Sequence, residues 1–188
     1  MEDKYKYSYN VPSNLIALSP AKPRSSSKLL LYEKSMIQDY HFHQLDSLLK
    51  DGDHLVFNNT KVLKARLFGF REREKHYFEK NPKIEVLLIN QISRNSWKAL
   101  CKPAKKLKLN DKVRFSSFLF ATVVKRIDSE FILEFCFLKG TSAESLMEIG
   151  QLPIPPYILR KRDYRESDTA DYQTVFAKKE GAIAAPTA

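Results

Sequence analysis

Between Val62 and Phe137 the chain repeats one pattern, short apolar–polar alternations broken by turn or charged residues. In "VLKARLF", Leu63, Ala65 and Leu67 fall on one face and Lys64 and Arg66 on the other. "IEVLLI", "WKALC", "KVRF", "FLFATVVKR" and "FILEFCF" follow, and in the last Phe131, Leu133, Phe135 and Phe137 share a face. A period of two is the period of a strand, and half-apolar strands must cover one another's apolar faces. About six short strands at this spacing predict a small antiparallel barrel or sandwich. Gly69 and Gly140 are the only glycines bracketing the region, so its turns are expected to use Asn, Asp, Ser and Lys. "REREKHYFEKNPK" is too charged for a core and reads as a solvated hairpin tip.

The flanks read differently. The first forty or so residues are turn-rich and lead into "LLLY" (Leu29–Tyr32), a short apolar strand. "HFHQLDSLLKDGD" places Phe42, Leu45, Leu48 and Leu49 on one helical face, stopped by Gly52. "HLVFNNT" reads as a buried strand ending in an amide-rich turn. After the barrel, Thr141 and Glu144 form a capping box for a helix that Gly150 ends. Pro153, Pro155 and Pro156 then preset an extended backbone, and "YQTVFA" reads as a buried strand.

With 188 residues, 43% of them hydrophobic and 29% charged, the chain suits one or two globular domains. Lys and Arg outnumber Asp and Glu by 32 to 22, and the resulting +10 attracts polyanions, RNA among them. Cys101 and Cys136 lie far apart in apolar runs, which predicts two core thiols in a reducing cytoplasm. The N-terminus has no apolar signal region, and no apolar run is long enough to span a membrane.

The search for chemistry is mostly negative. His41 and His43 have no Cys, Asp or His group near enough in sequence to complete a metal site, so they read as structural or solvent histidines. The five glycines are scattered, which rules out a P-loop or a dinucleotide fingerprint. Basic patches are better supported. "CKPAKKLKLNDK" packs Lys102, Lys105, Lys106, Lys108 and Lys112 into a loop between strands; "ILRKRDYR" carries Arg160, Lys161, Arg162 and Arg165; "AKPRSSSK" adds Lys22, Arg24 and Lys28. Converged, they track a phosphate backbone; apart, they are three solvated loops. "GQLPIPPYILR" holds Tyr157 and Arg160 on a proline-locked backbone, suited either to stack on a base and hold an anion or simply to close a domain.

In order, "LVFNNTKVLKARLFG", "IEVLLI", "WKALCKPAKKLK", "GQLPIPPYILR", "DYQTVFA" and "GAIAAPTA" resemble the S-adenosylmethionine:tRNA ribosyltransferase-isomerase family of queuosine biosynthesis, from about Tyr9 to Ala188. The chain departs from the family pattern at Asn59 (Asp in the family), Lys64 (Pro), and Ala104 and Asn110 (glycines). The resemblance implies a mixed α+β fold: a partial α/β domain, residues 1–60 and 150–188, with an inserted six-stranded antiparallel β-barrel, residues 61–149. The family motif runs on past "GAIAAPTA", so a truncated chain carrying the first half of the enzyme is expected, without the transfer activity on its own.

The resemblance also implies the chemistry. The family moves the ribosyl part of S-adenosylmethionine, a co-substrate, onto 7-aminomethyl-7-deazaguanine in the anticodon stem-loop of tRNA and isomerises it to give epoxyqueuosine, with no metal. A sulfonium acidifies the adjacent ribosyl carbon and leaves readily, so the protein needs a base, an acid and a dry pocket. The expected contacts are Tyr157 as an aromatic face and Arg160 on an anion. Tyr172, Gln173 and Thr174 would line the pocket from a strand, with Ala185, Pro186 and Thr187 as a close wall. Thr60 and Arg66 fall where the domains join, Arg66 in a structural ion pair. Lys102, Lys105, Lys106, Lys108 and Arg162 are the expected RNA contacts; the general base stays unassigned. A monomer in the cytoplasm, with no membrane partner, is expected. The competing reading is a non-catalytic basic barrel that only grips tRNA, and a blander one is a non-functional remnant.

Overall fold

A computed structural model describes residues 8–72, 81–138, 146 and 148–184. The chain divides into two compact units. One runs to Val56 and takes in Pro156–Tyr164; the other comprises Phe57–Pro155 and the chain from Arg165 onward. The regular structure of the described residues is mostly strand, with few and short helices.

In the first unit, strands β1 (Lys28–Glu33) and β2 (Met36–His41) form an antiparallel hairpin. Strand β2 is absent from the expectation above. Its turn is Lys34–Ser35, both at positive φ, which is the two-residue hairpin geometry that Asn-Gly usually announces; here the sequence carries neither residue. The expected helix after it is a 3-10 stretch, Phe42–Leu48, with Gln44 accepting the His41 backbone N–H at 2.8 Å. His41 and His43 stack with ring centroids 5.6 Å apart, and their Nδ1 atoms bond the carbonyls of Ser26 and Ser25. "HLVFNNT" is not a buried strand: Leu55, Val56 and Phe57 are exposed, and only Thr60–Val62 enters a ladder as β3. A four-residue helix, α1 (Pro156–Leu159), completes the unit.

The second unit is built around the barrel. Strands β4 (Arg66–Arg71), β5 (Lys83–Gln91) and β6 (Ser96–Lys102) form one meander, and β7 (Lys112–Arg114), β8 (Leu119–Ile127) and β9 (Glu130–Phe137) another. Pairing of β4 with β7 and of β6 with β9 closes the six strands, all antiparallel. The expected alternation holds inside: Ala65, Leu67, Ile84, Val86, Leu88, Ala99, Cys101, Val113, Leu119, Ala121, Val123, Phe131, Leu133 and Phe135 are buried in one cluster. Bulges at Leu88/Asn90 in β5 and Val123/Lys125 in β8 bend the long strands enough to close. Gly69 is needed where β4 meets β7, since a Cβ there would lie 2.6 Å from the Arg114 carbonyl oxygen.

Beyond the barrel, helix α2 (Asp168–Asp171) ends in a turn, and β10 (Lys179–Ala182) pairs parallel with β3. "YQTVFA" is therefore that turn and not a buried strand; Val175 and Phe176 are exposed, and Phe176 packs on Phe57 at 4.4 Å between ring centroids. The capping box at Thr141 and Glu144, and the Arg73–Lys80 part of the charged hairpin, lie outside the described residues. Among the described residues no helix is long and apolar enough to cross a membrane.

The two cysteines part company. Cys101 is in the barrel core, whereas Cys136 points outward from β9 and is exposed, because it sits at the opposite parity to Phe135 and Phe137. Burial pushes the Cys101 thiol from an ordinary 9.0 up to about 12. In the native chain a thiol reagent at neutral pH is expected to modify Cys136 and to reach Cys101 only in denaturant. The unfolded thiol ionises from about pH 9 while the folded one keeps its proton to about 12, so the stabilisation is complete below 9 and drains away as pH rises through that window. Urea melts of the parent and of Cys101→Val between pH 8 and 11 check this: the variant loses that part of the slope.

Candidate functional site

Arg66 is the first residue of β4 and nearly closed off from solvent. Its Nε donates to Glu85 Oε1 at 2.8 Å and its Nη1 to the Ile154 carbonyl at 3.0 Å. Its backbone exchanges two bonds with Gln151, at 3.0 and 2.8 Å. Arg66 thus ties the start of "QLPIPP" to the barrel, with Leu152 and Ile154 buried beneath it. The ion pair expected from sequence is present, and with the Ile154 bond it engages the Arg66 side chain from two sides. Gly150 permits the approach, since a Cβ there would stand 2.1 Å from the Lys64 carbonyl oxygen.

Thr60 begins β3, and both its N–H and its hydroxyl bond the Asn58 side-chain oxygen. Tyr172, Gln173 and Thr174 lie on the turn after α2, not on a strand. The Gln173 amide accepts from the Val62 N–H at 2.8 Å and donates to the Val62 carbonyl at 3.0 Å, pairing with β3 as a strand would. Thr174 Oγ1 accepts from the Phe176 N–H at 3.3 Å. Thr60, Arg66 and these three residues belong to the same unit. Tyr157 on α1 and Arg160 just after it are exposed and belong to the other unit. Arg162 donates from Nε to the Leu18 carbonyl at 2.9 Å and from Nη1 to the Asp163 carbonyl, so it serves the fold of its own unit. Ala185, Pro186 and Thr187 lie outside the described residues.

The structure adds a pocket that the sequence reading misses. A cavity of about 250 Å³ lies between Leu63, Lys64 and Ala65, the barrel residues Leu88, Gln91 and Trp97, the helical Leu146, and Glu180 and Gly181 of β10. Trp97 shares the inward parity of Ala99 and Cys101 but stands at the end of β6, against the rim of the core. Its indole N–H is buried and has no acceptor among the described residues. A buried donor without a partner is rare and marks a place where a ligand oxygen is welcome. The walls are apolar, with one cation, one carboxylate and one amide at the edge. Parity in "SWKALC" was the signal for Trp97; nothing local announces that β10 supplies the opposite wall.

The lysine loop is rigid rather than loose. Lys102 at the end of β6 and Lys105, Lys106 and Lys108 in the connection to β7 are exposed, while Leu107 among them is buried and pins the loop to the core. Arg71 Nη1 donates to the Lys106 carbonyl at 2.7 Å, and Asp111 accepts the Lys108 N–H at 2.6 Å. Arg71 Nε stands 3.0 Å from Asp111, an ion pair at an angle too poor for a hydrogen bond. Asn110, at positive φ, takes the turn that a glycine would otherwise take. Among the described residues no three His, Cys, Asp or Glu side chains gather as a metal site would need.

A family model described as "Queuosine biosynthesis protein" matches residues 4–188. S-adenosylmethionine:tRNA ribosyltransferase-isomerase of a Ruegeria species is 42% identical over 97% of this chain and 52% of its own length. The enzyme of the same name from Bradyrhizobium diazoefficiens is 41% identical over 97% of this chain and 51% of its own length. The chain thus spans about half the length of the curated relatives it matches. A crystal structure of S-adenosylmethionine tRNA ribosyltransferase from Thermotoga maritima aligns at 30% identity and a TM-score of 0.38, covering 81% of this chain and 52% of that one.

Replacing Arg66 by Ala strands the Glu85 carboxylate and the Ile154 carbonyl. Because Glu85 keeps some solvent contact, the loss is expected at about 2–4 kcal/mol, below the fully buried case. Gly150→Ala is expected to cost at least as much, since the backbone itself must move. Urea unfolding midpoints of both variants check this.

Proposed function

The chain belongs to the queuosine biosynthesis protein family, and from that premise we propose that it acts in the reaction of an S-adenosylmethionine:tRNA ribosyltransferase-isomerase, to which its residues contribute substrate binding. The reaction is transfer and isomerisation of the ribosyl moiety of S-adenosylmethionine onto 7-aminomethyl-7-deazaguanine in tRNA. The observation that carries this reading is the similarity itself, about 40% identity across 97% of the chain with relatives of that name.

The cavity beside Trp97 is the place proposed for one end of S-adenosylmethionine. A sulfonium is attracted to an aromatic face, a carboxylate to Lys64, and an ammonium to Glu180. The indole N–H offers a donor to a ligand oxygen. Small-molecule sites usually enclose about 300–1,000 Å³, so this cavity takes part of the ligand, and weak affinity follows. Gln173 acts through the backbone, holding the turn that carries Tyr172 and Thr174 against β3. Tyr157, Arg160 and the Ala185–Thr187 wall remain proposed contacts, and Thr60 a proposed contact at the start of β3. No base for the ribosyl carbon is assigned.

For tRNA, the braced lysine loop supports contact with phosphate, because its exposed ammonium groups are presented without the entropy cost of ordering a loose segment. This loop also supports the second reading, a barrel that holds RNA without catalysis, since everything that shapes it lies on the barrel.

Two measurements test these readings. Trp97 is the chain's one tryptophan. Its emission is expected to change saturably on addition of S-adenosylmethionine, and Lys64→Ala to weaken that change; an unchanged spectrum removes the ligand from this cavity. If about five lysines of the loop meet single-stranded phosphates, log affinity for an anticodon stem-loop falls with log salt at a slope of about −3.5. Lys105→Ala with Lys106→Ala flattens it; an unaltered slope shows the loop to be solvated only.

A further inference from the structure

The outer face of the barrel carries an arrangement that shares nothing with the Trp97 cavity and only Lys112 with the lysine loop. Strands β5, β4, β7 and β8 are successive neighbours in the closed sheet. Across them Lys83 stands opposite Phe70, Phe70 opposite Arg114, and Arg114 opposite Phe120. The row alternates cation and ring over four strands. All four side chains point away from the core, because Ile84, Gly69, Val113, Leu119 and Ala121, their neighbours along the strands, are buried. Phe68 lies on the same face of β4, 37% exposed.

The cations lie over the rings. Lys83 Nζ is 5.0 Å from the Phe68 centroid, and Lys112 Nζ and Arg114 Cζ are each 5.6 Å from that of Phe120. Arg114 is also paired with Glu72, and Glu85 opposite Phe68 is taken by Arg66, so these two carboxylates among the described residues are already paired. Lys83 and Lys112 are exposed. Strand β7 starts at the end of the lysine loop, and Lys112 carries that loop's positive charge onto the wall.

Flat rings interleaved with mobile cations on a sheet are what a sequence-tolerant single-stranded nucleic-acid platform requires. Bases supply π-faces to the rings, and the displaced ammonium groups turn to phosphate. We propose that the β5–β4–β7–β8 wall is a stacking platform for unpaired nucleotides of RNA, with Phe68 and Phe120 as the base contacts and Lys83 and Lys112 as the phosphate contacts. Arg114, held by Glu72, positions the Phe120 ring. The inference rests on the RNA-binding reading above and names the surface that reading leaves open.

The test uses the full 188-residue chain and a fluorescein-labelled single-stranded RNA of about ten nucleotides, a length that one small barrel covers. A duplex of the same sequence is the comparison. The single strand is expected to bind more tightly than the duplex. Phe68→Leu and Phe120→Leu keep apolar bulk and remove the ring; each is expected to weaken the single strand about 5- to 20-fold without changing the salt slope. Lys83→Ala is expected to make the slope shallower. Thermal melts accompany each variant, and Phe68→Leu, at an exposed position, keeps the fold even if Phe120→Leu does not. Single-stranded RNA bound as tightly by Phe68→Leu as by the parent overturns the platform and leaves the RNA-binding reading standing. Equal affinity for the duplex overturns the platform as well. Failure to bind either RNA overturns both.

Discussion

Closure of the barrel is the constraint on which the rest depends. Two three-stranded meanders, each with a half-apolar face, have little stability apart; pairing β4 with β7 and β6 with β9 removes four free edges and seals one core. Each consequence is local and specific. Gly69 must be without a side chain where β4 crosses close to Arg114. The β6–β7 connection must run from one meander to the other, and so carries its lysines over a closed rim where Leu107 anchors them. Trp97 comes to stand at an end of the core, beside a space that β10 and the Leu63–Ala65 segment help to enclose.

Polar groups then fasten the remaining chain to that core. Arg66 extends an outward-facing position of β4 into a clamp, holding Glu85 on one side and the Gln151–Ile154 segment on the other. Gln173 does for β3 what a neighbouring strand would do, satisfying both backbone groups of Val62 with one amide. An amide is suited to this because its carbonyl and one of its N–H groups lie in a plane and present an acceptor and a donor side by side, as a neighbouring strand would. Two residues marked for substrate on the sequence thus also have structural work: Arg66 through its bonds to Glu85 and Ile154, and Gln173 through the turn it holds.

Charge on the molecule is organised rather than spread. The excess of Lys and Arg would count for little if each side chain were solvated alone. Arg71, Arg66, Arg114 and Arg162 instead spend their donors inside the fold. Lysines are left at the surface, on a braced loop and over the rings of Phe68 and Phe120. That division follows the chemistry of the two groups: guanidinium forks fit fixed partners, and ammonium groups on flexible stems remain available to a moving polyanion.

Alternation was enough to predict a small antiparallel barrel or sandwich, and the family resemblance implied the six-stranded barrel. A period of two is kept through Leu133, Phe135 and Val123 and their neighbours, and the inward residues are those the pattern marks. The order of motifs was likewise enough to place the chain in its family. Weaker local signals failed where long-range contacts decide. "HLVFNNT" and "YQTVFA" are as apolar as buried strands, yet stand in turns or exposed chain, because the core has no room left for them once the barrel is closed. The β1–β2 hairpin turns at Lys34–Ser35 without turn residues, since pairing along six positions outweighs the local preference. Cys136 has the composition of a core thiol and the parity of a surface one. The Trp97 cavity and the cation–ring row belong to no segment at all: they exist only where strands distant in sequence are brought side by side, and strand register, which no single stretch of sequence contains, sets which side chains meet.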